Sequence, residues 1–498
     1  MQQREVNVLI VGGGLSGISA AVHLLEAGER DVVLLEKESE LGGVWRDNTY
    51  PGCACDIPSQ VYSYSFALKR DWSRKFGGQA EIQDYLLGVA KERGVRDLVR
   101  FNAEVLQASW QEDQHRWIVR TAESVYAARI LVIAVGGALA EAAIPDLPGL
   151  KEFDGTVFHS SRWRNDHDLT GRRVAVVGTG ASSIQIVPAI QPVVDHLTLV
   201  QRTPAWVLPK NDHAVSDVQK AILRLPGGVR LMRGTEFALA EVMRFAFKHP
   251  RLLAPMKRAA HRYLEEKVPS PELRAKLTPS YTLGCKRLLF SSDYYDALTQ
   301  DNVDVVASGL REVRKNSVVA ADGSEHPVDT IVLATGFQGW RAPITGRVTG
   351  RSNQTIAEVW GGRPRAFKAT SIAGFPNAFY FFGPNSGQAS AFVMAEAQSR
   401  YLVEAVKAMR RKGVTMIDVR ESAQRDWKRA ADKDLSTQIW SVGCKSFYLD
   451  ADGNNAALFP RGMTAMRREL SRFPINAYQT AVLPDSQTAD TETEITAR

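Results

Sequence analysis

Val6-Asn-Val-Leu-Ile-Val11-Gly12-Gly-Gly14-Leu-Ser16-Gly17 opens the chain. The near-continuous apolar run Val6 to Val11 predicts a buried strand, and the spacing of Ile18 to Ala27 predicts a helix directly after the glycines. Gly28 ends that helix, and Asp31 to Glu36 (DVVLLE) reads as the next strand. The whole is a β-α-β unit. In its first turn one glycine makes the tight bend, one lets backbone approach a pyrophosphate, and one packs helix on strand. The helix N-terminus offers unpaired N–H groups to the phosphates. Glu36 follows Gly17 by nineteen residues, where a carboxylate accepts hydrogen bonds from ribose hydroxyls. This unit reads as a site for FAD or NAD.

A second unit begins at Arg173. Val174 to Val177 is a strand, Gly178-Thr179-Gly180-Ala181-Ser182-Ser183 a turn, Ile184 to Ile190 a helix and His196 to Gln201 a strand. Serine at the third small position still permits close packing. Nineteen residues after Ser183 stands Arg202 rather than an acid. An acid there repels a 2′-phosphate, whereas a guanidinium binds one through charge-assisted hydrogen bonds. The second site therefore reads as NADPH, with a solvated strand-end charge as the plain alternative for Arg202. Two nicotinamides face to face give only transhydrogenation, so FAD is the economical choice for the first site.

Between the units, Glu104 to Tyr126 reads as strands with charged turns, and Ile130 to Val135 as another buried strand. Residues 211–280 carry helical period with breaks at Pro226-Gly-Gly228, Pro250 and Pro269. Val303 to Val306 and Thr330 to Ala334 return to strand, residues 390–411 form an amphipathic helix, and the polar residues 485–498 read as a disordered tail. The fold class is α/β: two Rossmann-like dinucleotide-binding domains with a helical insertion in the second. The expected division is 1–145 and 338–484 for FAD, 146–210 and 281–337 for NADPH, 211–280 for the insertion, and 485–498 for the tail.

With 498 residues, 44% of them hydrophobic and 23% charged, the chain is an ordinary globular protein, neither disordered nor collagen-like. The net charge of +7 is uneven: residues 211–280 hold thirteen Lys/Arg against seven Asp/Glu. No nucleic-acid motif accompanies this surplus. It belongs either to solvated helix faces or to a weak contact with an anionic surface such as a bilayer. The four cysteines, Cys53, Cys55, Cys285 and Cys444, do not make a disulfide scaffold, and a reduced, cytoplasmic setting fits. Cys53 and Cys55 have neither zinc-site nor redox C-x-x-C spacing, so no metal is expected. The longest apolar run, Ile130 to Ala140, is far below the roughly 20 residues of a transmembrane helix.

Gly42-Gly-Val44-Trp45-Arg-Asp-Asn-Thr-Tyr-Pro-Gly-Cys-Ala-Cys-Asp56 resembles the GGxW…YPGxxxD signature of class B flavin monooxygenases, specifically the type I Baeyer–Villiger monooxygenases. Phe153-Asp-Gly155-Thr-Val-Phe-His159-Ser-Ser-Arg-Trp163 is similar to that family's F-x-G-x-x-x-H-x-x-x-W fingerprint. Gln201-Arg-Thr-Pro204 with Trp206, Gly284-Cys-Lys-Arg287, Asp329 to Phe337 and Gly383-Pro-Asn-Ser386 also resemble it. The resemblance spans Val6 to about Arg461. Two positions depart from it: Arg164 follows Trp163 in place of Pro or Asp, and Phe447 stands where a Trp commonly meets the nicotinamide cofactor.

The resemblance implies that NADPH reduces FAD, that the reduced flavin captures O2 as a C4a-peroxide, and that this attacks a ketone to give an ester or lactone. It implies Arg287 as the catalytic cation and Asp56 as the carboxylate that tunes it. It places Gly12, Gly14, Ser16, Gly17, Glu36, Val44, Trp45, Asp56, Tyr62 and Val105 at the FAD site. It places Gly178 to Ser183, Arg202, Thr203, Lys286, Arg287 and Phe447 at the NADP site. Gly155, His159 and Trp163 fall in a link tied to domain motion, with a structural hydrogen bond as the plain reading of His159. Trp340 and Trp360 stay as core or pocket residues. The runner-up function is an N- or S-oxygenating flavin monooxygenase. A disulfide reductase is excluded by cysteine spacing, and a non-enzymatic binding module would carry FAD without consuming NADPH. Substrate ring size and oligomeric state are open.

Overall fold

The computed structural model describes residues 3–137, 141–339, 342–444 and 446–483, so Trp340 and the segment 485–498 lie outside the described residues. Strand β1 (Gln3–Val11) is central in the larger sheet because its apolar run is buried on both faces, with Val8, Leu9 and Ile10 wholly inaccessible. Each such side chain contributes about 1.5–3 kcal/mol on burial. It pairs in parallel with β2 (Val32–Leu35) and with the strand Val125–Ile133. Strands Arg116–Arg120, Gln107–Gln111 and Val348–Thr349 extend the sheet on one side and Val99–Arg100 closes the other. Ala378–Tyr380 joins the far end of Val125–Ile133 through Leu131↔Ala378. Helix α1 (Leu15–Glu26) packs on this sheet, and the Ser19 and Ser399 hydroxyls meet at 2.9 Å.

The smaller sheet is parallel throughout. Its order is Val303–Val306, β4 (His196–Val200), β3 (Arg173–Val177), β5 (Thr330–Leu333), Thr156–His159. Helix α2 (Ser183–Ile190) follows β3. A three-stranded antiparallel excursion, Leu310–Arg314, Ser317–Ala320 and Glu325–Pro327, lies between the last two β-segments and had no counterpart in the sequence reading. The chain crosses between the sheets twice. The crossings run side by side: Ala143 N donates to Gly336 O at 2.8 Å, and Thr335 Oγ1 donates to Ala143 O at 2.6 Å.

The helical insertion holds α3 (Asp217–Arg224), α4 (Gly228–Lys248), α5 (Ala254–Lys267) and α6 (Pro271–Leu277). Its base is closed by Val207–Leu208 pairing with Leu289–Phe290. Ser216 and Gln219 cap α3 reciprocally. Helix α7 (Ala391–Lys412) covers α1. One bond was not anticipated by the cysteine pattern: Cys285 and Cys444 form a disulfide, Cα atoms 6.2 Å apart across 159 residues, while Cys53 and Cys55 stay free. The separation along the chain hid the pair from any local motif.

Candidate active site

The first glycine turn is built by close approach. Gly12 has φ +106°, and a Cβ there would stand 2.6 Å from Ala134 O; one on Gly17 would stand 1.9 Å from Gly12 O. Over Gly14, by contrast, the nearest atom to such a Cβ is Gly43 Cα at 3.7 Å, which leaves room for a ligand against backbone. No acidic side chain lies in the first turn of α1 to compete for a phosphate. Glu36 is buried at the end of the neighbouring strand, where Oε2 accepts Gly13 N–H at 2.7 Å and Oε1 accepts from Arg46 Nη1 at 3.1 Å. Ser16 and Val105 are buried beside this turn and strand, and Val44 begins a short helical turn after Gly43. These residues fit a flavin dinucleotide.

The second turn repeats the design. A Cβ on Gly178 (φ +116°) would stand 2.4 Å from Ala334 O, whereas one on Gly180 would meet nothing within 4 Å. Ser182 is the N-cap of α2 and again no acid occupies its first turn. Thr179 Oγ1 donates to Thr203 O at 2.9 Å, tying the turn to the strand end that carries Arg202. Arg202 is exposed and makes no ion pair among the described residues. Lys286 lies near enough that partial burial and then the Arg202 charge lower its ammonium pKa. Two cations thus converge beside this turn, a match for a 2′-phosphate.

Asp56 and Arg287, 231 residues apart, meet between the two turns. Arg287 Nη2 donates to Oδ1 and Oδ2 at 2.6 Å each, and Nε donates to Oδ2 at 3.0 Å. Nη1 has no protein partner among the described residues. The facing Asp56 charge raises the pKa of the half-exposed guanidinium further, against a loss of hydration to the surrounding protein. Around the pair, Trp45 Nε1 donates to Tyr62 Oη at 3.1 Å, and the Tyr62 ring meets Phe392 edge-on at 4.8 Å. Burial raises the pKa values of Tyr62, Cys55 and Tyr448, so these groups stay neutral at physiological pH. Phe447 is exposed and packs on Tyr448 at 4.3 Å; the buried aromatic beside Arg287 is Tyr448, which the sequence reading did not single out.

His159 is buried and its Nδ1 accepts Ser161 N–H at 3.1 Å, the structural hydrogen bond of its plain reading. Its ring also meets Phe337 at 5.8 Å, at the start of the second crossing. Gly155 is required because a Cβ would stand 2.2 Å from Asp329 O. Trp163 packs edge-on against Phe158 at 5.0 Å, and Arg164 pairs with Asp166 at the surface. Trp360 is buried in the core of the larger sheet. Gln185 is a joining residue that the sequence reading missed. From α2 it donates to Ala54 O at 2.9 Å and accepts from Tyr50 Oη at 3.1 Å, locking the loop that carries Asp56 onto the second domain. Among the described residues no cluster of His, Cys, Asp and Glu could hold a metal ion.

Residues 5–219 match the family model described as flavin-binding monooxygenase-like. A Baeyer-Villiger monooxygenase of Streptomyces coelicolor is 46% identical over 481 residues, which cover 95% of this chain and 92% of that protein. Another from Pseudomonas aeruginosa is 41% identical over 97% of this chain and 92% of its own. Among solved structures, cyclohexanone monooxygenase from Rhodococcus sp. Phi1 bound to NADP+ aligns with a TM-score of 0.85 at 26% identity, over 97% of this chain and 100% of that one. An oxidized steroid monooxygenase bound to NADP aligns equally well, with a TM-score of 0.85 at 26% identity over 96% of this chain and 100% of that chain. Two nucleotide turns around an Asp–Arg pair, with this identity along nearly the whole length, mean that the chain belongs to the type I Baeyer–Villiger monooxygenase family.

Proposed function

We propose that the chain binds FAD at the first glycine turn and NADPH at the second, and inserts one oxygen atom of O2 beside a ketone carbonyl to give an ester or lactone. On this reading residues 1–145 and 338–484 carry FAD, and 146–210 and 281–337 carry NADPH. Bound FAD, reduced by NADPH, supplies the activation of O2. Every other part is supplied by side chains. Gly12 and Gly17 close the turn and pack the helix on the strand, Gly14 lets backbone approach the flavin pyrophosphate, and Glu36 takes the ribose. Ser16, Val44, Trp45, Tyr62 and Val105 line the flavin. Gly178 to Ser183 cradle the second pyrophosphate; Arg202, Thr203 and Lys286 hold the 2′-phosphate. Phe447, on the loop before Tyr448, adjoins the nicotinamide.

The observation that carries the reading is the fork of Arg287. Asp56 holds Nε and Nη2, which fixes the guanidinium plane and leaves Nη1 for a developing oxyanion. An arginine stays charged even when water is excluded, so it supplies this field at any working pH. Tyr62, Cys55 and Tyr448, held neutral around it, bring no competing charge. Gly155, His159 and Trp163 anchor the link between the two nucleotide sites. A cytoplasmic location goes with this reading, because NADPH is supplied there; no helix among the described residues is long and apolar enough to cross a membrane.

A panel of ketones, amines and sulfides with the purified flavoprotein tests it, reading NADPH consumption and product mass together. Ester or lactone formation coupled to NADPH use is the expected result. Oxygenation of amines or sulfides alone would replace it with the N- or S-oxygenating function. A flavoprotein that leaves NADPH untouched in air would remove enzymatic function altogether.

A further inference from the structure

Helix α4 (Gly228–Lys248) carries an apolar row on its solvent side. The charged side chains of its middle turns, Arg233, Glu236, Glu241 and Arg244, lean toward the protein, beside Val229, Phe237 and Phe247. Arg233 Nη1 donates to Gln60 O at 2.5 Å and Ser63 O at 3.0 Å. Glu241 Oε1 accepts Thr464 N–H at 2.6 Å, and Arg244 Nη2 donates to Phe459 O at 2.8 Å. Four of its apolar side chains turn outward instead, Leu231, Leu239, Val242 and Phe245, each 58–66% exposed. An ordinary helix on a globular protein keeps polar side chains on that face. Single exposed apolar residues need no explanation, but a row along one helix does. Eight of the fourteen large apolar side chains exposed among the described residues fall between Val218 and Leu252.

The charge around this ridge indicates what covers it. Exposed cations bracket its two ends, Arg224 and Arg230 before it and Lys248 and Arg251 after it, and none makes an ion pair among the described residues. Glu236 and Glu241, the acids of α4, lie on the turned-in side and are only partly exposed. A second copy of the chain would set like cations against like at each end, whichever way the two helices ran. An anionic bilayer answers both features at once: headgroups pair with the cations while the acyl boundary takes Leu, Val and Phe. We propose that α4 docks the protein in the plane of an anionic phospholipid membrane, by its outward apolar ridge and the cations at its ends.

The ridge also stands close to the chemistry. On the inner side of α4, Phe247 stacks on Trp440 at 5.1 Å and packs against Gly284, three residues before Arg287. A ketone dissolved in the acyl region would therefore lie one helix away from the loops around the Asp56–Arg287 pair. The docking itself stands on α4 alone and does not depend on which substrate is oxidised.

Co-sedimentation of the flavin-loaded protein with vesicles tests this. Phosphatidylcholine vesicles are compared with vesicles of phosphatidylcholine mixed with phosphatidylglycerol, at low and at high salt. Binding is expected to the mixed vesicles, to weaken with salt, and to fall about tenfold or more in the combined variant Leu239→Ser, Val242→Ser, Phe245→Ser. These side chains face outward, so that variant keeps its flavin and its NADPH oxidation, and a variant that loses flavin is replaced by Phe245→Ser alone. Arg230→Glu with Lys248→Glu is expected to abolish the preference for phosphatidylglycerol. No binding at low salt, or equal binding by the serine variant, overturns the proposal. Equal binding to both vesicle types overturns its anionic part. A dimer in sedimentation velocity that the serine variant dissolves, without vesicle binding, gives the ridge to a second copy instead.

Discussion

Arg287 spends two of its three nitrogens on Asp56 and keeps Nη1 for something else. If that nitrogen stabilises an oxyanion, Arg287→Ala loses ester formation by about a hundredfold or more while NADPH still bleaches the flavin. Rapid-mixing absorbance for the flavin and mass analysis of the product separate the two steps. Equal loss of both would make Arg287 a cofactor-binding residue only. Asp56→Asn removes the charge and replaces one of the two acceptor oxygens by a donor, so the two-pronged grip on Arg287 is lost, and its ester formation is expected to fall between wild type and Arg287→Ala.

Arg202 and Lys286 converge beside the second glycine turn, and the Arg202 charge contributes to the lowered Lys286 pKa. Removing one cation from such a pair weakens the hold on a dianionic phosphate much more than on a ribose hydroxyl. Arg202→Ala should therefore reduce the kcat/KM preference for NADPH over NADH by about tenfold or more, with little change for NADH. An unchanged preference would return Arg202 to a solvated strand end.

The Cys285–Cys444 bond ties the segment before Arg287 to the loop that bears Phe447 and Tyr448. Thiol titration of denatured protein without reductant should find two thiols, Cys53 and Cys55, and four after reduction. Cys444→Ser is expected to lower unfolding stability by about 2–4 kcal/mol, measured in denaturant, and reductant should then have no further effect. Four thiols without reductant would remove the bond.

Burial pushes the Glu236 carboxyl up to about 7, with Lys75 and Arg233 pulling the other way. The folded value thus lies above the unfolded one, so the native state binds the extra proton. The stability this gives is complete below the ordinary carboxylate range and is lost as pH rises through about 7. Glu236→Gln should match wild type at about pH 4 and exceed it by about 1–3 kcal/mol at about pH 8. Denaturant curves at the two pH values decide it, and a variant less stable at both would contradict the assignment.

What the sequence revealed was what it encodes locally. Both glycine turns, Glu36 and Arg202 sit within strand–turn–helix units of about thirty residues, and hydrophobic period exposes such units directly. Asp56 and Arg287 were recognisable only through motif resemblance, because 231 residues separate them. Gln185, Tyr448 and the disulfide escaped for the same reason: each acts across the fold and none belongs to a spacing pattern. The +6 of residues 211–280 was visible as a sum. That its longest helix keeps an apolar row facing solvent was not, since periodicity identifies the faces of a helix but not which of them meets the protein.

The interleaving of the two sheets also orders their assembly during synthesis. Every strand of the smaller sheet is encoded between Thr156 and Leu333. The larger sheet begins at Gln3 yet waits for Ala378–Tyr380 to pair with Leu131, and α1 waits for α7 to cover it. As a nascent chain emerges, the smaller sheet can be completed first, while the larger one, with β1 already paired to β2 and Val125–Ile133, must leave the Leu131–Ile133 edge and the outer face of α1 uncovered until the C-terminal third arrives. The surfaces longest exposed to misfolding or to chaperone capture are therefore the Leu131–Ile133 edge and the face of α1 that α7 later covers.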